Sequence, residues 1–217
     1  MKITEIFKSI QGESTFQGLP CIFVRLTGCN LNCRYCDTLY ARKGGIEMSI
    51  TEIMKKVENL KIKYICITGG EPLLQQETPQ LASKFINNGY LVSIETNGTI
   101  DASTLPEGVI RIIDVKCPGS GEDGKTHSDN ISKKRSNDEF KFVITDRNDF
   151  EYALHIIKKY NIADSNTVLF SPVNNVLEPR ILAEWIINDM PEARLNLQLH
   201  KYIWHDSSIE ERGLQNL

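Results

Sequence analysis

Short apolar segments alternate with amphipathic ones along most of this 217-residue chain, and this alternation limits its fold more than any other feature. Residues 64–68 are apolar almost throughout, as is typical of a strand that is buried on both faces. Further strands are predicted at residues 21–26, 90–95, 109–115, 139–145, 167–170 and 194–199. Strands that alternate with helices predict an α/β fold, in which a parallel sheet is connected by crossover helices.

Amphipathic helices are predicted between these strands, including segments at residues 49–60, 148–160 and 178–188. In the first of them, Ser49 and Glu52 form the signature of a capping box. Another helix is predicted to have Thr78 as its N-cap and Pro79 as its first helical residue, and to end at Gly89.

The segment 116–137 breaks the alternation, because it is rich in Gly, Ser, Lys and Asp and has no helical period. Loops of this length inside a compact domain are usually functional or mobile. There is no internal repeat and no composition shift that would mark a boundary. We therefore predict a single domain over residues 1–217, a length sufficient for one α/β domain.

The charge balance gives no sign of a nucleic-acid or membrane partner. The formal net charge is −3, whereas proteins that bind nucleic acid or anionic lipid carry a basic patch. The short run Lys133-Lys134-Arg135 has acidic residues nearby, and we interpret it as a solvated loop. No window approaches the roughly 18 apolar residues that a membrane span needs, and residues 1–6 do not resemble a signal peptide. We expect a cytoplasmic protein.

Three of the six cysteines are clustered in the segment 28–38. Cys29, Cys33 and Cys36 have the spacing C-x3-C-x2-C, directly after the strand predicted at residues 21–26. Three thiolates in one loop can hold a 4Fe–4S cluster and leave one iron open for a substrate. In a reducing compartment, clustered cysteines indicate metal or catalytic chemistry rather than disulfides.

A non-enzymatic zinc or thiol-redox protein is the alternative. A structural zinc site needs a fourth Cys or His at short range, whereas the nearest histidine in sequence is His127 and Cys66 lies within a predicted strand. Cys21 and Cys66 are interpreted as buried structural residues. Cys117 is interpreted in the same way, although it follows a strand, where active-site groups gather.

Together with a second motif, the cysteine spacing resembles the signature of the radical S-adenosylmethionine (SAM) superfamily. Tyr35 is the aromatic residue that this signature places before its last cysteine. The strand at 64–68 ends in Thr68-Gly69-Gly70-Glu71-Pro72, which resembles the superfamily segment that binds the methionine amino group of SAM. Paired glycines let a backbone approach a ligand closely. The resemblance implies a 4Fe–4S cluster and SAM as cofactors.

Within the superfamily, the chain resembles the 7-carboxy-7-deazaguanine synthase family. The matching segments are residues 5–14 (EIFKSIQGES), 18–26, Cys36-Asp37-Thr38, 95–99 (ETNGT) and 198–202 (QLHKY). They run from residue 5 to about residue 204, so the resemblance covers nearly the whole chain.

This resemblance implies a carbon–nitrogen lyase of the pathway to queuosine and other 7-deazapurines. The substrate would be 6-carboxy-5,6,7,8-tetrahydropterin, contracted to 7-carboxy-7-deazaguanine with loss of ammonia. The reduced cluster would cleave SAM, and the resulting 5′-deoxyadenosyl radical would abstract hydrogen from C6 of the pterin. Return of hydrogen would regenerate SAM. The protein would position the cofactors and exclude side reactions.

The family implies a pterin site and a magnesium site. The residues implied to contact the pterin are Ile10, Gln11, Gly12, Glu13, Arg25 and Thr96. Arg25 would pair with the substrate carboxylate, a contact that suits the planar guanidinium group. Thr38 would bind Mg²⁺ together with the substrate and waters. Without the resemblance, Thr38 would be interpreted as a helix cap.

The family also implies a SAM site at the ends of strands, where parallel α/β folds place their ligands. Its residues are Tyr35, Cys36, Asp37, Gly69, Gly70, Glu71, Gly98, Asp114, Val115, Lys116, Ser171, Pro172, Val173 and Asn174. Relatives often have Ser-Pro-Lys at the position of residues 114–116, so this chain departs from the family there. His200 is interpreted as structural.

Some relatives end near the segment that matches 198–202 and use their terminal carboxylate at the substrate. This chain continues through His205, Asp206 and Arg212 to Leu217, so that role is not assigned here.

The implied fold is a partial (abbreviated) TIM-like barrel of the radical SAM type. The implied partners are the pterin, an electron donor such as flavodoxin or ferredoxin, and a second copy of the chain in a homodimer. The alternative within the superfamily is an activase that installs a glycyl radical on a partner protein. Activity on a free pterin distinguishes the two.

Overall fold

The computed structural model describes residues 1–204, and residues 205–217, with His205, Asp206 and Arg212, lie outside the described part. The strands within it are β1 (Lys2–Ile10), β2 (Pro20–Leu26), β3 (Ile46–Glu47), β4 (Tyr64–Gly69), β5 (Leu91–Thr96), β6 (Val109–Asp114), β7 (Glu139–Ile144), β8 (Thr167–Pro172) and β9 (Arg194–Leu195). The α-helices are α1 (Ile50–Asn59), α2 (Thr78–Asn87), α3 (Ser128–Ser132), α4 (Arg147–Lys159), α5 (Pro179–Asp189) and α6 (Leu199–Ile203).

All the described strands form one sheet in the order β3-β1-β2-β4-β5-β6-β7-β8-β9. The strands from β2 to β9 are parallel, whereas β1 is antiparallel to both β2 and β3. Because β3 and β9 remain at opposite edges, the sheet does not close. This arrangement confirms the predicted α/β fold with a partial barrel. It also brings the carboxyl ends of the parallel strands to one edge.

The apolar core lies between the sheet and the helices. On one half of the sheet, Ile65 and Ile67 of β4 belong to the same buried cluster as Ile53 of α1 and Phe85 of α2. A second cluster joins β6–β8 to α4 and α5. Each such side chain stabilises the fold by about 1.5–3 kcal/mol when it is fully buried.

Alternation along the strands separates this core from the opposite face of the sheet. In β7, Phe140, Phe142 and Ile144 belong to the buried cluster beneath the helices, whereas Lys141 and Val143 line a cavity. Successive strand side chains point to opposite faces. A strand that is buried on both faces can therefore carry charged groups toward a ligand site.

The capping box predicted at α1 is confirmed, because Ser49 Oγ accepts from the Glu52 N–H at 3.2 Å and the Glu52 carboxylate accepts from the Ser49 N–H at 2.7 Å. Gly89 follows the end of α2 with a φ of +77°, as predicted. The predicted N-cap Thr78 is wrong. Glu77 occupies that position, and Thr78 is the first helical residue, whose hydroxyl donates to the Pro72 carbonyl at 2.7 Å.

Two further predictions are corrected. The strand predicted at 194–199 covers only Arg194–Leu195, because the chain turns after Asn196 and begins α6 at Leu199. Asn196 still bonds to β8 through its N–H to Phe170 and through its side chain to Ser171. The segment 116–137 was predicted without a helix but contains α3, as well as a 3₁₀ turn at Pro118–Ser120. Within residues 1–204, no helix is long and apolar enough to cross a bilayer.

Candidate active site

A cavity of about 850 Å³ lies at the carboxyl ends of the parallel strands. Most of the predicted site residues line it: Ile10, Gln11, Glu13, Arg25, Cys29, Cys33, Tyr35, Cys36, Asp37, Thr38, Gly69, Gly70, Thr96, Asp114, Lys116, Val173 and Asn174. These residues come from the ends of six strands and from the cysteine loop. The topology therefore brings together segments that are far apart in sequence.

Six predicted site residues are not in the wall of this cavity. Gly12 lies next to it, packed so tightly that a Cβ there would overlap the His200 ring. Val115 packs into the apolar core beneath α4, and Ser171 is buried under Asn196. Pro172 lines an adjoining cavity of about 380 Å³. Glu71 and Gly98 are buried and do not line the cavity.

The cysteine loop presents three free, half-buried thiols. Its backbone is fixed by distant segments: the Glu71 N–H donates to the Gly28 carbonyl at 2.8 Å, and the Arg34 N–H donates to the Ser120 carbonyl at 3.0 Å. The Asn32 N–H donates to the Glu122 carboxylate at 2.7 Å. The loop is therefore held in place from both sides by the rest of the fold.

The thiols of Cys29, Cys33 and Cys36 fit a 4Fe–4S cluster, since thiolates are the ligands that iron–sulfur clusters take. Each thiolate of such a cluster binds a different iron, so the sulfurs need only face one common space. Among residues 1–204, no three His, Cys, Asp or Glu side chains are arranged around a single ion position. Burial raises the pKa of Cys33, and the nearby Lys116 ammonium opposes that effect.

The Gly69-Gly70 segment lies directly against the cysteine loop. Gly69 has a φ of +154°, and a Cβ at this position would overlap the Leu26 carbonyl group. A Cβ on Gly70 would lie only 2.6 Å from the Cβ of Cys29. Only glycine fits at these positions, and the backbone of this segment borders the cavity.

Glu71 turns away from the cavity and ties β4 to β5. Its carboxylate accepts from the backbone N–H groups of Leu73 at 2.9 Å and Asn97 at 2.7 Å, and from the Thr96 hydroxyl at 2.9 Å. Burial raises the pKa of Glu71. Its contacts within the described residues are thus structural, while the glycines before it face the cavity.

The residues predicted to bind a pterin lie on the β1 and β2 side. Gln11 donates to Tyr64 at 3.3 Å and to Glu95 at 3.4 Å. Arg25 donates from Nε to Glu5 at 2.7 Å. Within the described residues, the terminal nitrogens of Arg25 have no hydrogen-bond acceptor, so they remain available to an anion.

A row of charges crosses the cavity from Glu13 to Lys116. Lys141 forms an ion pair with Glu13 and lies 3.9 Å from Asp114 Oδ2. Lys116 pairs with the same Asp114 oxygen at 2.9 Å. The sequence reasoning missed Lys141 and Glu95. A possible signal was a charged residue at alternate positions of an otherwise apolar strand, as in Glu-Phe-Lys-Phe at 139–142.

The described C-terminal segment, residues 198–204, contacts the part of the site that contains Gly12 and Glu13. Gln198 donates to Glu13 at 2.8 Å, and the Leu199 N–H donates to the Gly12 carbonyl at 2.9 Å. Burial lowers the pKa of His200, and the charge of Glu13 opposes this. Gln198 and Lys201 were also missed, because nothing local in the sequence indicates which distant residues they contact.

Thr38 and Asp37 lie at the end of the cysteine loop. The Thr38 hydroxyl donates to Asp37 Oδ1 at 2.9 Å, and Asp37 Oδ2 lies 3.0 Å from the Lys201 ammonium. Thr38 precedes the 3₁₀ helix Leu39–Arg42, but its side chain makes no capping hydrogen bond. Hydroxyl and carboxylate oxygens are ligands that Mg²⁺ accepts.

A protein-family model and individual relatives both match this sequence. The family model of the radical SAM superfamily matches residues 23–175. A 7-carboxy-7-deazaguanine synthase of Koribacter versatilis is 42% identical over 219 residues, covering 94% of this chain and 97% of the relative. The enzyme of the same name from Chlorobaculum tepidum is 42% identical over 208 residues, covering 94% of each chain.

Solved structures share the fold. The crystal structure of QueE from Escherichia coli has a TM-score of 0.78 at 22% identity and covers 92% of this chain and 94% of its own. Streptococcus suis SuiB bound to S-adenosylmethionine has a TM-score of 0.60 at 13% identity and covers 81% of this chain and 51% of its own. At these identities, the likeness concerns the fold alone.

Proposed function

Because the chain belongs to the radical SAM superfamily and, within it, to the 7-carboxy-7-deazaguanine synthase family, we propose that it converts 6-carboxy-5,6,7,8-tetrahydropterin to 7-carboxy-7-deazaguanine. Ammonia is lost, and the product enters queuosine and 7-deazapurine biosynthesis. One observation carries the proposal: the cysteine thiols, the Gly69-Gly70 backbone and the polar end of β1 share a single cavity. The family rules out a non-enzymatic zinc or thiol protein.

Cys29, Cys33 and Cys36 would hold the cluster, which together with SAM supplies hydrogen-atom abstraction when both are bound. Asp114 supports a SAM site next to the cluster, because its Oδ1 is buried and accepts no hydrogen bond from the described residues. An ammonium or ribose hydroxyl of SAM would satisfy it. The Gly69-Gly70 backbone would lie alongside the methionine part of SAM, with Tyr35, Val173 and Asn174 lining the rest.

The pterin would bind between β1 and β5. Arg25 would hold the substrate carboxylate with its terminal nitrogens while Nε stays on Glu5, and that second contact fixes the plane of the guanidinium group. Gln11, Glu13 and Thr96 would provide hydrogen-bonding groups for the ring, with Ile10 and Gly12 contributing backbone.

Mg²⁺ would bind at the Thr38 hydroxyl, with the substrate and waters completing its shell. Mg²⁺ commonly keeps several waters and uses few protein ligands, which suits a site that offers Thr38 and, next to it, Asp37.

We further propose a cytoplasmic homodimer that receives electrons from flavodoxin or ferredoxin. All six cysteines are free thiols, as is usual in a reducing compartment. Asn30, Asn32 and Arg34 of the cysteine loop are exposed, so an electron carrier can approach the cluster through them. Exposed apolar side chains such as Ile46 and Leu39 are available for contact with a second copy.

The test is an anaerobic assay of the reconstituted enzyme with reductant, SAM, Mg²⁺ and 6-carboxy-5,6,7,8-tetrahydropterin, analysed by mass spectrometry. We expect 7-carboxy-7-deazaguanine from the wild type and none from Cys33→Ala. The matched control is Cys66→Ala, which removes a buried thiol of β4 and should retain the cluster and the product. Cleavage of SAM without conversion of the pterin would instead support the activase. A protein that binds no iron would contradict the cluster assignment.

A further inference from the structure

Lys141 is a charged residue at the centre of a buried sheet. Its side chain is 11% exposed, and its neighbours in β7 are the buried Phe140 and Phe142. Removing an ammonium group from water is costly unless partners compensate it. Neither the family resemblance nor the residues predicted from the sequence give Lys141 a role.

The partners of Lys141 come from two different parts of the cavity. Glu13, on the segment after β1, forms an ion pair with Lys141, and Asp114 at the end of β6 lies 3.9 Å away. Glu95 of β5 also acts on Lys141, and these three carboxylates together raise its pKa against the effect of burial. Lys141 is therefore a permanent cation next to the proposed pterin site.

We propose that Lys141 is a positioning residue, whose ammonium holds Glu13 as an ionised carboxylate aimed at the bound pterin. This inference rests on the proposed function. The geometry that carries it is that the two oxygens of Glu13 have different partners: Oε1 accepts from Gln198 at 2.8 Å, and Oε2 forms an ion pair with Lys141. Oε2 is buried and accepts no hydrogen bond from the described residues, so it can still accept one from a bound ligand.

The charge of Glu13 matters because of the chemistry of the substrate. A tetrahydropterin presents N–H groups around its rings, and an ionised carboxylate can only accept hydrogen bonds. A protonated carboxyl would instead place a donor against those N–H groups. Burial acts against ionisation of Glu13, but the charge of Lys141, together with His200 and the hydrogen bond from Gln198, lowers the pKa of Glu13 overall. Without Lys141, burial would favour the neutral acid.

The test separates this role from a contribution to folding alone. It compares the wild type with Lys141→Met, Lys141→Arg and the double variant Lys141→Met/Glu13→Gln. Each reconstituted protein is examined by thermal unfolding and by anaerobic calorimetric titration with 6-carboxy-5,6,7,8-tetrahydropterin, without reductant so that no turnover occurs. Arg111→Met is the matched control, because it breaks the buried Arg111–Asp138 ion pair, whose residues do not line the cavity, and leaves the Glu13 pair intact.

We expect Lys141→Met to lower the melting temperature, because Glu13 is left without its cation, and to weaken pterin binding roughly tenfold or more. The double variant should recover the melting temperature, since neither charge remains, but not the affinity. Lys141→Arg should bind the pterin within a few-fold of the wild type. Arg111→Met should lower the melting temperature, because Asp138 loses its cation, but should also bind the pterin within a few-fold of the wild type.

Two outcomes would overturn the inference, and they can be told apart. If the wild type binds the pterin and the double variant binds it equally tightly, the role of Lys141 is overturned and the proposed function stands. A wild type that does not bind the pterin overturns the proposed function and, with it, the role of Lys141.

Discussion

Nζ of Lys201 lies 3.0 Å from Oδ2 of Asp37, and this ion pair joins the last described helix to the cysteine loop. The same helix begins at Leu199, whose N–H donates to the carbonyl of Gly12 in the segment after β1. Helix α6 thus connects the proposed pterin site with the proposed magnesium site.

Loss of this ion pair should loosen α6 more than it destabilises the protein. The Lys201 and Asp37 side chains are 25% and 51% exposed, so their pairing is worth at most about 1 kcal/mol. We expect Lys201→Met to raise the KM for the pterin several-fold with a smaller change in kcat. Hydrogen exchange of the α6 amides should become faster. Lys133→Met, which breaks the exposed Lys133–Asp129 pair, is the control and should leave α6 unchanged.

The same contact should depend on pH. Burial acts against ionisation of Asp37, but the Lys201 ammonium and its hydrogen bond lower the pKa of Asp37. A carboxyl with a lowered folded-state pKa stabilises the fold above its unfolded pKa of about 4, and the contribution is lost as the pH falls below that value. The difference in melting temperature between the wild type and Lys201→Met should therefore shrink toward acid pH. A constant difference would contradict the assignment.

Gly70→Ala should abolish cluster binding. A methyl group there would lie 2.6 Å from the Cβ of Cys29 and would push the cysteine loop away from its position. We expect little iron and weak absorbance of the reconstituted variant. In contrast, Gly89→Ala introduces a methyl group at a φ of +77° with nothing within 4 Å of it. It should cost about 1 kcal/mol of stability and retain the cluster. Equal iron content in the two variants would be evidence against this explanation.

Thr38→Val should raise the Mg²⁺ concentration needed for half-maximal activity. The substitution keeps the shape of the side chain but removes the hydroxyl that would bind the ion, and it also removes the donor to Asp37. Thr38→Ser retains the hydroxyl and should titrate with Mg²⁺ like the wild type. If Thr38→Val has an unchanged Mg²⁺ dependence, the ion binds elsewhere.

Asn130 anchors the segment 116–137 to the loop after β5. Its side chain donates to the carbonyls of Gly98 at 2.9 Å and Ile100 at 2.8 Å, and accepts from the Ala102 N–H at 2.9 Å. Asn130→Ala leaves these buried groups unpaired and should destabilise the fold by about 2–4 kcal/mol. Because Gly98 follows Thr96 and Asn97, which line the cavity, the KM for SAM should also rise. Denaturant unfolding and steady-state kinetics measure the two effects. Asn130→Asp should be at least as destabilising as Asn130→Ala near neutral pH, because it places a buried carboxylate against the carbonyl oxygens of Gly98 and Ile100.

Local patterns predicted much of the fold. Strand β2, the strands from β4 to β8, and the helices α1, α2, α4 and α5 lie within one or two residues of their predicted positions, whereas the two-residue strand β3 was not predicted. These strands are apolar segments buried in the sheet, and these helices have one apolar face. The local residue pattern of each element therefore indicates whether it is a strand or a helix and which side is buried. The cysteine loop could also be predicted from the sequence, since the ability to bind a cluster depends on the spacing of cysteines within one segment.

Features that depend on residues distant in sequence could not be predicted from local sequence patterns. Strand β1 was missed because its register shifts between Ile3 and Glu5, which places Ile3 and Ile6 on the buried side and breaks the alternation of period two. The segment after Leu195 alternates like a strand, but the chain turns after Asn196 and begins α6 at Leu199. Lys141 has partners more than 25 positions away in sequence, at Glu13 and Asp114.

The anchoring of the cysteine loop has a consequence for the biogenesis of the enzyme. The backbone N–H groups of Asn32 and Arg34, which lie between the three cysteines, donate to Glu122 and Ser120. The ribosome adds these two acceptor residues long after the cysteines. While the ribosome still holds residue 122, the three thiols exist without the backbone contacts that fix their positions. We therefore expect a chain truncated before the β6–β7 connection to bind less iron on reconstitution than the full chain.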